Sequence, residues 1–271
     1  MITHSFNPAD GIISPSDMHE TRRGLPTTCI ITFSKDVLEH ALARFSHEQA
    51  VVIPGLNGPK TAWLIRDQDF ECLLYMSPIT AAGAGFTLEE MAQATGATRF
   101  ILFGSCGALD RKLSEGCIIV PTQAYRDEGL SYHYAPAADY ILIKNAPFMS
   151  DVLSALGLPH VQGPVWTTDA LFRETRAAME KRQQEGCIAV DMECAGLQAI
   201  CDFRGFDYFT FFYTGDQLDA PTWDARILDS GEKEADHVIA AFLVALEIAK
   251  RLPVRHAGGL VPDGPGTAIG P

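Results

Sequence analysis

The chain is short of positive charge: 21 lysines and arginines face 34 aspartates and glutamates, a net charge of −13. Non-specific nucleic-acid binding rests on basic patches, so that class is set aside. A pocket for a small anion is not excluded, because local charge can oppose the global sign. The sequence also lacks an uninterrupted apolar stretch long enough to span a bilayer. Its start, Met1 to Asp10, is polar and has no signal-peptide core, so a cytoplasmic location is the expectation. Seven cysteines are present, at 29, 72, 106, 117, 187, 194 and 201, but none forms a Cys-x-x-Cys pair. The odd count and wide spacing predict reduced, buried thiols. There is no Gly-x-Gly-x-x-Gly fingerprint and no Walker motif. His133 has no second His or Cys at ligand spacing. No metal and no cofactor are expected.

What is present is an ordinary globular composition, 47% apolar and 20% charged over 271 residues, long enough for one sizeable core. Residues 1–27, rich in Pro, Asp, Ser and Gly, read as an extended N-terminal arm. Residues 254–271, with five glycines and three prolines, read as a flexible tail. Between them, strand and helix patterns alternate across 28–253. Cys29–Phe33, Phe100–Phe103, Cys187–Val190 and Tyr208–Tyr213 are among the continuous apolar runs expected of strands buried on both faces. Lys35–Phe45, Thr87–Thr95, Arg173–Gln184, Glu193–Arg204 and Glu232–Leu252 are among the helix candidates. The alternation predicts an α/β domain with a parallel or mixed central sheet.

Five segments carry candidate chemistry. Gly104-Ser105-Cys106-Gly107 follows a strand, and its small residues allow backbone to approach a ligand; taken alone it reads as an ordinary turn, with Cys106 a small residue in it. Arg126-Asp127-Glu128 reads as a surface loop holding a local ion pair, or as a brace for a site. Thr167-Thr168-Asp169 leads into Leu171-Phe172, where a helix cap is the plain account and a wall for a flat base the functional one. Asp191-Met192-Glu193 sits between an apolar run and a helix start. Capping explains an acid there, yet a carboxylate such as Glu193 can also accept from two vicinal hydroxyls. Asp216, in Thr214-Gly215-Asp216, ends another apolar run and is poorly explained by packing. A partly desolvated Asp acts as an acid near neutral pH. Asp219 is its rival, and reads as a turn residue before Ala220-Pro221.

Together these motifs resemble the nucleoside phosphorylase family, which includes uridine phosphorylase, bacterial hexameric purine nucleoside phosphorylase and methylthioadenosine nucleosidase. The resemblance runs from about Cys29 to Leu252. It rests on Gly-Ser-Cys-Gly-Ala-Leu at 104–109, Arg-Asp-Glu-Gly-Leu-Ser-Tyr-His-Tyr-Ala-Pro at 126–136, Thr-Asp-Ala at 168–170, Val-Asp-Met-Glu-Cys-Ala-Gly at 190–196 and Thr-Gly-Asp-Gln-Leu at 214–218, in the family's order. It implies a single domain whose mixed sheet is partly closed as a barrel and flanked by helices. It implies a homo-oligomer, dimer-based and often hexameric, with a neighbour closing each site. Glu193 and Met192 are then the ribose ligand and floor, with Asp191 beside them, and Asp216 the acid that protonates the departing base. Ser105, with Cys106 and Gly107, lies at the phosphate or nucleophile end, and Leu171 and Phe172 lie beside the base.

Two phosphate arginines of the phosphorylases are missing. The loop after the first strand reads Phe33-Ser34-Lys35-Asp36-Val37, and Leu102 stands two residues before Gly104. Lys35, Arg22, Arg23 or Arg44 are the candidate substitutes. The leading expectation is a phosphorylase that cleaves a purine ribonucleoside with inorganic phosphate as co-substrate. A nucleosidase using water is the alternative. A non-catalytic nucleoside-binding or storage protein is the third.

Overall fold

The structure, a computed structural model, describes residues 1–55, 58–229 and 231–252, with backbone alone at 229 and 231–234. The expected tail at 254–271 lies outside the described residues. Ten strands are described: β1 Thr28–Thr32, β2 Ser46–Ile53, β3 Lys60–Asp67, β4 Phe70–Met76, β5 Arg99–Ala108, β6 Ile118–Asp127, β7 Tyr140–Leu142, β8 His160–Thr168, β9 Ala189–Asp191 and β10 Asp207–Gln217. The helices are α1 Pro15–Met18, α2 Lys35–Arg44, α3 Ala81–Thr95, α4 Ser131–Tyr134, α5 Ala146–Ala155, α6 Arg176–Gln184, α7 Cys194–Arg204 and α8 Gly231–Arg251. Short 3-10 turns lie at Ile2–His4, Leu171–Arg173 and Arg226–Asp229.

The sheet is mixed and partly closed. Its order is β10-β6-β8-β9-β5-β1-β4-β3-β2, and β10 also pairs with β5, so five strands form a ring from which four more extend. β5 runs parallel to β10 and β1 and antiparallel to β9. All five residues of β1 are buried, as a strand covered on both faces requires. One core cluster joins Ile30, Phe103, Phe211 and Phe242 of α8, and a second joins Ile31, Leu88, Phe100 and Leu197. Ser34 caps α2, accepting from the Val37 amide, and left-handed Gly96 and Gly205 end α3 and α7.

The structure corrects three local expectations. Gly104–Ala108 is strand, not turn, because β10 continues to pair with it, with Tyr213 opposite Ser105 and a bulge between Thr214 and Asp216. Tyr125–Asp127 likewise belongs to β6, paired in register with Trp166–Thr168 of β8. The expected Arg126 ion pair is replaced by bonds to Ser131 Oγ and to the Pro136 and Ala135 carbonyls. The helix expected from Arg173 begins at Arg176, where Thr175 caps it.

The turn Ile2–His4 packs by α4, and the segment that follows lies along α3 and β2. Thr21 Oγ1 and the Arg22 amide donate to the Gln93 and Ala94 carbonyls, and the Arg22 guanidinium reaches the Gln49 and Ala50 carbonyls of β2. Among the described residues, no helix is long and apolar enough to cross a membrane.

Candidate active site

A cavity of about 830 Å³ opens at the carboxyl ends of β1, β5, β9 and β10, where open α/β sheets present ligand-binding groups. Ser105, Cys106, Gly107, Leu171, Phe172, Asp191, Met192, Glu193 and Asp216 all stand on its lining. The topology therefore brings these nine residues together, whereas Arg126, Asp127, Glu128, Thr167, Thr168 and Asp169 stand off the lining.

Glu193 and Asp191 are next to each other but differently engaged. Asp191 Oδ2 accepts from the Glu193 and Cys194 amides at 2.8 and 2.6 Å, and its Oδ1 from Thr167 Oγ1 at 2.7 Å. It thus caps α7, and burial pushes its carboxyl up to about 6 against those bonds. One oxygen braces the start of α7 and the other ties it to β8, beside Glu193 on the same lining. Glu193 is 7% exposed, and one oxygen accepts from the Thr80 amide at 2.6 Å. Burial, reinforced by the Asp191 charge, pushes it up to about 8. Thr80 itself holds φ at 76°, a left-handed value rare for a β-branched residue.

Across the cavity, Asp216 Oδ2 accepts from Trp223 Nε1 at 2.7 Å. Burial raises this carboxyl and the indole donor opposes the rise. Asp219, the rival acid, is bound by Arg111 at 3.1 Å, which lowers it below the usual carboxylate range. Gly107 is required by close approach: a Cβ there would lie 2.5 Å from Leu218 Cδ1 and 2.8 Å from Val190 Cγ1. Ser105 is exposed to the cavity. The Cys106 side chain belongs to the main core, and its thiol donates to the Tyr213 carbonyl at 3.5 Å. Burial holds that thiol well above its usual range, so it supplies packing rather than a nucleophile. Leu171 and Phe172 stand at the rim, 50% and 96% exposed.

Glu174, Arg176 and Trp223 also stand on the lining, and the sequence did not single them out. Arg176 and Trp223 lie in segments that read as helix and loop, and no local pattern marks them. Arg176 is the single cation on the lining among the described residues, and it donates to the Leu218, Ala220 and Pro221 carbonyls. None of the four candidate substitutes for the missing arginines stands on the lining. Lys35 pairs with Glu39, Arg22 with β2, and Arg44 lies over Phe45. Leu102 and Val37 are fully buried in the core.

Residues 29–249 match the model of the phosphorylase superfamily. Among curated relatives, a purine nucleoside phosphorylase of the DeoD type from Caldanaerobacter subterraneus subsp. tengcongensis is 26% identical over 168 residues, covering 60% of this chain and 69% of that protein. The same type from Bacillus cereus is 26% identical over 137 residues, covering 48% of this chain and 57% of its own length. Among solved structures, the 5'-methylthioadenosine/S-adenosyl homocysteine nucleosidase of Campylobacter jejuni superposes with a TM-score of 0.68 at 18% identity, covering 84% of this chain and all of that one. A futalosine hydrolase mutant of Helicobacter pylori gives 0.67 at 16% identity, covering 83% of this chain and 99% of that one. The chain belongs to the phosphorylase superfamily, whose enzymes act on nucleosides by phosphorolysis or hydrolysis.

Proposed function

We propose that this protein cleaves the N-glycosidic bond of a purine-type ribonucleoside, and that water is the nucleophile. Glu193 accepts from the ribose hydroxyls over Met192. Those hydroxyl donors favour its ionised form, and the carboxylate then favours the positive charge that develops at the anomeric carbon. Asp216 donates a proton to the departing base as the C1′–N bond breaks. Water then adds to C1′ and releases a proton, giving free base and ribose. The observation that favours water is the lining itself: its single described cation, Arg176, is committed to three backbone carbonyls. A phosphate dianion calls for charge and bidentate geometry that Phe33, Phe103 and Phe212 do not supply.

Phosphorolysis is the second reading, favoured by the exposed Ser105 hydroxyl and the similarity to purine nucleoside phosphorylases. A nucleoside panel incubated with and without phosphate separates the two. Base release that does not depend on phosphate supports hydrolysis; release only with phosphate transfers the assignment to phosphorolysis. No release with either overturns both. The apolar rim of Leu171, Phe172 and Trp223 supports a homo-oligomer in which a second copy covers the mouth. Sedimentation at the monomer mass alone would remove that proposal.

A further inference from the structure

Glu174 has no part in the cleavage just described, yet it stands on the same lining. It lies between Phe172 at the rim and Arg176, whose guanidinium is fixed to the 218–221 backbone, and it feels the charges of both Asp216 and Asp191. Its carboxyl has no hydrogen-bond or ion-pair partner among the described residues. Every other acid on the lining has one: Asp191 caps α7, Glu193 holds the Thr80 amide and Asp216 holds the Trp223 indole. A carboxyl drawn partly out of water beside other acids is costly unless donors reach it.

Building on the cleavage reading, we propose that Glu174 reads the leaving base: its carboxylate accepts from N–H donors on the ring edge, so the site selects bases that carry an exocyclic amino group. Phe172 and Trp223 offer faces for the ring, Asp216 addresses the nitrogen that departs, and Glu174 meets the edge beyond it. Burial, together with the Asp216 and Asp191 charges, pushes Glu174 up to about 7. Its acceptor strength therefore rises as pH passes through that value.

The test uses two pairs of nucleosides that differ by one amino group, adenosine with purine riboside and guanosine with inosine. At pH near 8 the wild type should favour the amino member of at least one pair by about ten- to hundred-fold in kcat/KM, the range of a hydrogen bond to a charged acceptor. Glu174→Gln and Glu174→Leu should bring that ratio to within about twofold, with the larger loss falling on the amino member. A ratio that survives both substitutions overturns the proposal, and so does an equal loss on both members. Calorimetric binding of adenine and purine to the same three proteins keeps the two readings apart. If the wild type cleaves no nucleoside, the cleavage reading fails, and the adenine-to-purine affinity ratio still decides the role of Glu174. Equal affinities in wild type and variants would refute it.

Discussion

Asp216 was marked in the sequence as an acid that ends an apolar run without a packing reason, and Glu193 as an acid able to accept from two vicinal hydroxyls. Glu174 was not, because its neighbouring acids come from β9 and β10, and only the closed sheet brings them together. If Asp216 is the acid, Asp216→Asn lowers turnover about a hundred- to ten-thousand-fold and leaves nucleoside binding intact. Wild-type turnover in that variant would end the assignment. Glu193 makes a separate prediction about stability. An unfolded glutamate titrates near 4.3, whereas burial holds the folded one at about 8. Between these values the folded protein keeps a proton that the unfolded chain has released. The stabilisation is therefore complete at low pH and drains away as pH rises towards 8. Glu193→Gln cannot ionise. It should melt alongside the wild type near pH 5 and above it near pH 8. Parallel melting curves across that range would show that Glu193 ionises normally.

At the scale of elements, alternation and apolar runs gave the main strands and helices. What they missed are the places where a partner strand extends a run whose composition says otherwise. Gly104-Ser105-Cys106-Gly107 has the residues of a turn, yet it continues β5 because β10 supplies the pairing, and Gly107 admits the Leu218 and Val190 side chains. The segment after β10 is the counterpart. Gln217 pairs with Asp224 across the turn that carries Trp223, and Arg111 and Arg176 pin the intervening residues. This turn sets the donor that faces Asp216. Trp223→Phe keeps the ring and removes the N–H, so the Asp216 carboxyl should titrate higher. The basic limb of the rate–pH profile should move up in pH, together with a loss in kcat. A loss of kcat at an unmoved limb would limit Trp223 to packing.

For the whole molecule, the family resemblance was carried by five motifs that are separated in sequence, and those at 104–109, 190–196 and 214–218 meet on one cavity. The ring of β5, β10, β6, β8 and β9 explains the convergence: each contributes its end to one mouth or braces a strand that does. Ring closure also removes free edges from that half of the sheet. The extension is different, since β2 ends it with one side unpaired by any strand among the described residues, and Val52 is exposed on it. There Arg22 occupies the Gln49 and Ala50 carbonyls, beside the bulge between Gln49 and Val51. An open strand edge is a template for adding another chain. A protein trimmed to begin at Gly24 should scatter light on standing, at concentrations where the full chain stays clear. Val52→Lys in the trimmed protein should restore clarity. The segment that ends at Arg22 would then be a guard against aggregation, independent of anything the cavity does.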